Sequence, residues 1–102
     1  MRAVTEVLRS GQVAGGPVVA QFERGMAAYL GVQGGVAVSS GTVALELSLR
    51  AMGIGPGDNV ILPSYVCSAP WLAVQRVGAQ ARIVDIDPVT YNLDPRSAAH
   101  VA

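Results

Sequence analysis

The sequence predicts an α/β architecture, a β-α-β-α-β run preceded by two helices, and three observations carry that reading. Short β-branched segments alternate with stretches whose apolar residues recur at helical spacing. Glycine or proline stands at nearly every junction between them. The composition, 51% hydrophobic with only 14% charged residues, is that of a chain that builds a core. Two segments are expected: residues 1–34, with the two helices and a glycine loop, and residues 35–102, with the alternating strands and helices.

Taken in order, Val4, Val7 and Leu8 lie at helical spacing and Gly11 stops the run, so a short amphipathic helix is expected from Arg2 to Ser10. Gly11, Gly15, Gly16 and Pro17 make a loop that hands over to a second helix. Pro17 suits its first turn, and Val18, Phe22, Met26 and Tyr29 recur on one face up to Leu30 and Gly31. Residues 35–39 are short, β-branched and bounded by glycine, which predicts a buried strand of a parallel sheet. A helix over residues 42–52 places Leu45, Leu49 and Met52 on one stripe and ends at Gly53, before the turn Gly55-Pro56-Gly57-Asp58. Residues 59–63 form the next strand, around Val60, Ile61 and Leu62. Residues 70–77 are helical, with Pro70 in the first turn and Gly78 at the end. Residues 82–86 give a third strand, residues 87–94 have turn chemistry, and residues 96–102 read as the start of a helix cut short. Strands and helices in this alternation call for parallel pairing with right-handed crossovers.

The charges exclude some classes of partner. Seven basic residues balance seven acidic ones, no block of like charge occurs, and so no field gathers a phosphate backbone or an anionic membrane. The single cysteine, Cys67, has no partner for an internal disulfide. With no secretory leader and no membrane-length apolar run, a cytoplasmic protein is expected. All the basic residues are arginines, Arg2, Arg9, Arg24, Arg50, Arg76, Arg82 and Arg96; the chain has no lysine.

Chemistry points first to Ser39-Ser40-Gly41-Thr42-Val43, where a strand gives way to a helix. Free amides at a helix start, small residues and the Thr42 hydroxyl make a place for a phosphate group. An ordinary serine-capped helix accounts for the same residues, and at this point both readings stand. The fingerprints of dinucleotide sites, nucleotide P-loops and esterase elbows are absent. His100, the only histidine, lies in the tail and gives no serine or cysteine a base. Tyr65 and Cys67 follow the second strand, on the rim where open α/β sheets place ligands, although simple packing explains either residue. Asp85 and Asp87, before a proline, read as turn formers rather than as an acid/base or metal pair. No catalytic residue and no metal site is assigned.

Several spaced motifs, taken together, carry a family resemblance. Phe22-Glu23, Tyr29-Leu30-Gly31-Val32, Val36-Ala37-Val38-Ser39-Ser40-Gly41-Thr42 and Ala44-Leu45 are followed in order by Gly53-Ile54-Gly55-Pro56-Gly57-Asp58, Val60-Ile61, Pro63-Ser64-Tyr65 and Val84-Asp85-Ile86-Asp87-Pro88. This series resembles the opening of the DegT/DnrJ/EryC1/StrS aminotransferases. The resemblance implies the N-terminal part of the large domain of a fold type I transferase that depends on pyridoxal 5'-phosphate. It also implies a homodimer that moves an amino group from glutamate to a keto sugar carried on a nucleotide. By the same resemblance Gly41, Thr42 and the amide of Val43 hold the cofactor phosphate. Cys67 stands where the family more often has the aromatic ring that stacks on the pyridine. The lysine and the acidic residue that such enzymes require fall beyond Ala102, so the chain by itself is expected to be inactive. A sugar dehydratase of the same family, a non-catalytic anion-binding module and an inert gene remnant are the alternatives. The strand order of the fold leaves residues 35–39 without a neighbour, so the chain alone is expected to be unstable, to aggregate or to pair its strands differently.

Overall fold

The computed structural model describes residues 2–101. The order of elements is α1 (Arg2–Ser10), α2 (Pro17–Leu30), α3 (Gly41–Ala51), β1 (Asn59–Pro63), α4 (Ser68–Val77), β2 (Gln80–Val84) and α5 (Pro95–Ala99). The chain divides into two compact units, one ending at Ala37 and the other starting at Val38.

In the first unit both helices begin and end where the sequence predicts. Pro17 opens α2, and Gly31 closes it in the left-handed conformation with φ 67°, its N–H turned back to the carbonyls of Ala27 and Ala28. Ala27 is the buried residue of this helix. The stripe of Val18, Phe22, Met26 and Tyr29 stays in water, with Phe22 59% and Tyr29 84% exposed. Residues 35–39 do not form the predicted strand. A ladder needs a partner, and among the described residues no strand lies beside them, so the segment is unpaired. The β-α-β-α-β run is therefore realised here as α-β-α-β.

The second unit is built on a parallel pair, β1 with β2, in the register Asn59↔Gln80 to Pro63↔Val84. Arg82 Nε donates to Asn59 Oδ1 across the pair at 2.9 Å. This register corrects the third strand: it spans Gln80–Val84 instead of residues 82–86. Ile86 instead makes an isolated antiparallel bridge with Leu93. The crossover helix α4 starts at Ser68, two residues before the expected Pro70, because a proline in the first turn donates to no helical hydrogen bond and so costs none. At its end Gly78 has φ 83°, and a Cβ there would lie 3.1 Å from Pro56 Cγ, so both backbone and space require glycine. Leu62, Val74, Val77 and Ala79 form the core, with Leu49, Ile54, Val60 and Ala81 packed against it.

The packing fixes the direction of α3. It lies against α4, and the two helices are clipped together at their carboxyl ends. Arg50 Nη2 donates to the Arg76 carbonyl at 2.9 Å, while Glu46 pairs with Arg50 at 3.1 Å and with Arg76 at 3.5 Å. With α4 antiparallel to the strands, as a crossover must be, α3 and α4 run side by side in one direction. Both amino termini then lie at the end of the sheet where β1 and β2 finish.

The accessible surface is 7723 Å². A compact monomer of this mass exposes about 5,400 Å², and two separate compact bodies split at Ala37 expose about 6,500 Å². The buried set is correspondingly small: Ala27, Leu62, Ala73, Val74, Val77, Ala79 and Val84.

Candidate cofactor-phosphate site

The turn into α3 brings Gly41, Thr42 and Val43 together. Ser40, in extended conformation, is the N-cap, and its Oγ accepts from Val43 N at 3.3 Å. The Ser40 carbonyl accepts from Ala44 N at 3.0 Å, the first helical bond. Two donors remain. Among the described residues, the amides of Gly41 and Thr42 have no hydrogen-bond partner, and neither has the Thr42 hydroxyl. No acidic residue stands in the first turn of α3 to occupy these donors or to offset the positive end of its dipole. A Cβ built on Gly41 meets nothing within 4 Å.

The serine cap thus accounts for the Val43 amide only. Val43 N serves Ser40, while Gly41 N and Thr42 N have no partner among the described residues. For a phosphate group the residues fit: two backbone donors, one hydroxyl and no acidic residue in the first turn. Covalent attachment of a cofactor is not provided, because the chain has no lysine.

Cys67 lies at the same end of the sheet. It is the N-cap of α4, with φ −62° and ψ 164°, and makes no side-chain cap bond. Its thiol is free and exposed. Tyr65 in the same loop is 70% exposed, and its ring meets that of Tyr91 at 5.8 Å between centroids, tilted by 47°. Asp85 and Asp87 form no metal or acid/base pair. Instead Asp87 Oδ1 accepts from Val89 N and Thr90 N, both at 2.8 Å, and these amides, Thr90's first, hold its carboxyl below the ordinary value of 3.8. That turn carries Tyr91 at φ 58°, the left-handed region. Asp94 caps α5 through Arg96 N at 3.0 Å, and the same residue's amide and guanidinium lower the Asp94 pKa. Among the described residues no group of histidine, cysteine and carboxylates could hold a metal ion, and no helix is long and apolar enough to cross a membrane.

One feature escaped sequence reasoning. Glu23, on α2, reaches 14 residues along the chain: its Oε1 accepts from Ala37 N at 2.7 Å. The signal was Glu23 itself, the one acidic residue of α2, which has no ion-pair partner among the described residues.

The family model of the DegT/DnrJ/EryC1/StrS aminotransferases matches residues 1–101. The chain belongs to this family. Among its curated relatives, 3-amino-5-hydroxybenzoate synthase of Amycolatopsis mediterranei is 48% identical over 85 residues, which is 83% of this chain and 22% of that protein. UDP-2-acetamido-2-deoxy-3-oxo-D-glucuronate aminotransferase of Pseudomonas aeruginosa is 42% identical over 93 residues, 91% of this chain and 26% of its own. Solved structures agree with the fold. The S. venezuelae protein DesV superimposes with TM-score 0.91 at 42% identity, over 99% of this chain and 27% of DesV. NtdA from Bacillus subtilis, solved with bound cofactor PMP, gives 0.92 at 39% identity, over 99% and 23%. The chain thus spans about a quarter of the length of the family members it matches, and it carries the α/β fold of these aminotransferases.

Proposed function

We propose that this chain is the amino-terminal part of a cytoplasmic, homodimeric aminotransferase that uses pyridoxal 5'-phosphate to aminate a keto sugar carried on a nucleotide, with glutamate as donor. Its share of the work is to bind and orient the cofactor. Gly41 N, Thr42 N and the Thr42 hydroxyl hold the phosphate at the positive end of α3. The Val43 amide joins them when it is shared with Ser40, whose bond to it is long at 3.3 Å. Cys67 borders the cofactor ring, covering less area than an aromatic residue would. When bound, the cofactor supplies the electron sink that amino-group transfer needs. Residues 1–34 and residues 35–102 are proposed as the helical lead-in and the incomplete cofactor-binding domain.

The observation that carries this reading is the pair of unpartnered amides beside the Thr42 hydroxyl, within a turn that the family model covers. The test is spectroscopic. The protein expressed from its complete gene should bind added pyridoxal 5'-phosphate with a new absorption band in the near ultraviolet or visible. Thr42→Ala should weaken that binding by roughly 0.5–3 kcal/mol, the range for one lost hydrogen bond to a neutral or charged group. A colourless protein, indifferent to the added cofactor, would sink the proposal.

A further inference from the structure

The loop from β1 to α4 carries Cys67, and a well-bonded turn over residues 87–92 reaches it. The loop is tied at its start, where Ser64 N donates to the Val84 carbonyl at 2.8 Å, and at its end, where Cys67 becomes the N-cap of α4. Between these ties stands Tyr65, whose ring meets that of Tyr91 at 5.8 Å between centroids, tilted by 47°. Offset and tilted pairs at such a distance attract. Tyr91 stands there against its own backbone preference: alone among the described non-glycine residues it has a positive φ, 58°, where a side chain crowds the main chain. The turn compels it. Tyr91 N donates to the Asp87 carbonyl and Asp87 N to the Asn92 carbonyl, each at 2.8 Å. Asp87 Oδ1 accepts from Val89 N and Thr90 N at the same length, and the bridge between Ile86 and Leu93 closes the base. All of these residues belong to the second unit.

We propose that Tyr91 is a positioning residue: its ring, aimed by the left-handed backbone of the 87–92 turn, packs on Tyr65 and so fixes where Cys67 stands against the cofactor ring. This rests on the function proposed above, in which Cys67 borders that ring. At φ 58° glycine or asparagine is the ordinary choice, and a tyrosine persists there only because the surrounding bonds over-determine the turn. What tyrosine supplies that glycine cannot is the ring, and the ring meets Tyr65. Cys67 follows Tyr65 by two residues. Two residues of chain span at most about 7 Å, so a fixed Tyr65 confines the thiol.

The role is tested in the product of the complete gene with Tyr91→Gly and Tyr91→Phe. Glycine accepts the left-handed backbone and keeps the turn while removing the ring; phenylalanine keeps the ring. The deciding readout is the circular dichroism of the bound cofactor's absorption band at saturating pyridoxal 5'-phosphate, which reports how the cofactor ring is held and not how stable the protein is. The dissociation constant is followed beside it. Tyr91→Gly should alter the dichroism and weaken binding about two- to tenfold, the worth of one aromatic pair. Tyr91→Phe should preserve both. An unaltered dichroism in Tyr91→Gly would overturn the assignment whatever the affinity does, and so would an altered one in Tyr91→Phe. Should Tyr91→Gly fail to fold, Tyr91→Asn, which also tolerates the left-handed region, takes its place under the same criteria. Failure of both to fold overturns the assignment, since the ring would then serve the fold itself. The two proposals fail at different steps: a wild-type protein without a cofactor band removes the function, whereas a wild-type band that Tyr91→Gly leaves unaltered removes only the role of Tyr91.

Discussion

Produced without any further polypeptide, the 102-residue chain should not behave as a stable monomer. Its surface of 7723 Å² exceeds by about 1,200 Å² what even two separate compact bodies of its mass would show. With a little over half of protein surface apolar, about 700 Å² of that excess is apolar area left in water. At about 25 cal/mol per Å² this forgoes roughly 15–20 kcal/mol of hydrophobic stabilisation. Folded domains are stable by only about 5–15 kcal/mol, so the shortfall is as large as the whole margin. The exposed stripe of α2, with Val36 at 82% and Ile83 at 55%, is where it lies. Light scattering coupled to size exclusion should find oligomers or aggregate, a hydrophobic dye should bind, and urea should give a broad transition without a clear baseline. A monomer that unfolds in one cooperative step by circular dichroism and fluorescence alike would refute the reasoning.

Other outcomes are expected in the product of the complete gene. Gly78→Ala places a side chain at φ 83° and 3.1 Å from Pro56 Cγ, and should cost about 1–3 kcal/mol in urea unfolding. Val74→Ala, at a site 1% exposed in the centre of the core, should cost about 2 kcal/mol from two lost methyl groups and the space they leave. Ser40→Ala removes the N-cap of α3 and should cost about 1 kcal/mol, while releasing the Val43 amide and leaving phosphate affinity intact or improved. Asp87 gives a pH test. Its folded pKa lies below 3.8, so the turn is favoured above that value and loses this support as pH falls through the depressed one. The amide resonances of Val89 and Thr90 should move in that acid range, and Asp87→Asn should abolish the movement while keeping the turn.

What the sequence made legible was local. The spacing of Val18, Phe22 and Met26 with Pro17 and Gly31 at the ends defines α2 within its own residues, and the structure agrees to the residue. Gly78 likewise marks the end of α4. Readings that depended on a distant partner fared less well. Residues 35–39 have the composition of a strand, but a strand is made by its neighbour, and none lies beside them among the described residues. The third strand shifted by two residues because its limits are set by pairing with Asn59 and Pro63, not by its own β-branched residues. In the site, the turn at Gly41 and Thr42 could be read from residue types alone. The claim of Ser40 on the Val43 amide and the reach of Glu23 to Ala37 could not, since both are matters of side-chain direction.

The shared heading of α3 and α4 has a consequence for how the molecule looks to a small ion. Arg50 and Arg76 sit at the negative poles of the two helices and are tied there by Glu46, so those poles are quenched. The opposite poles carry no carboxylate. The second unit is thus polarised along its strands, and the attraction these turns offer an anion comes from peptide units that no tally of arginines and aspartates counts.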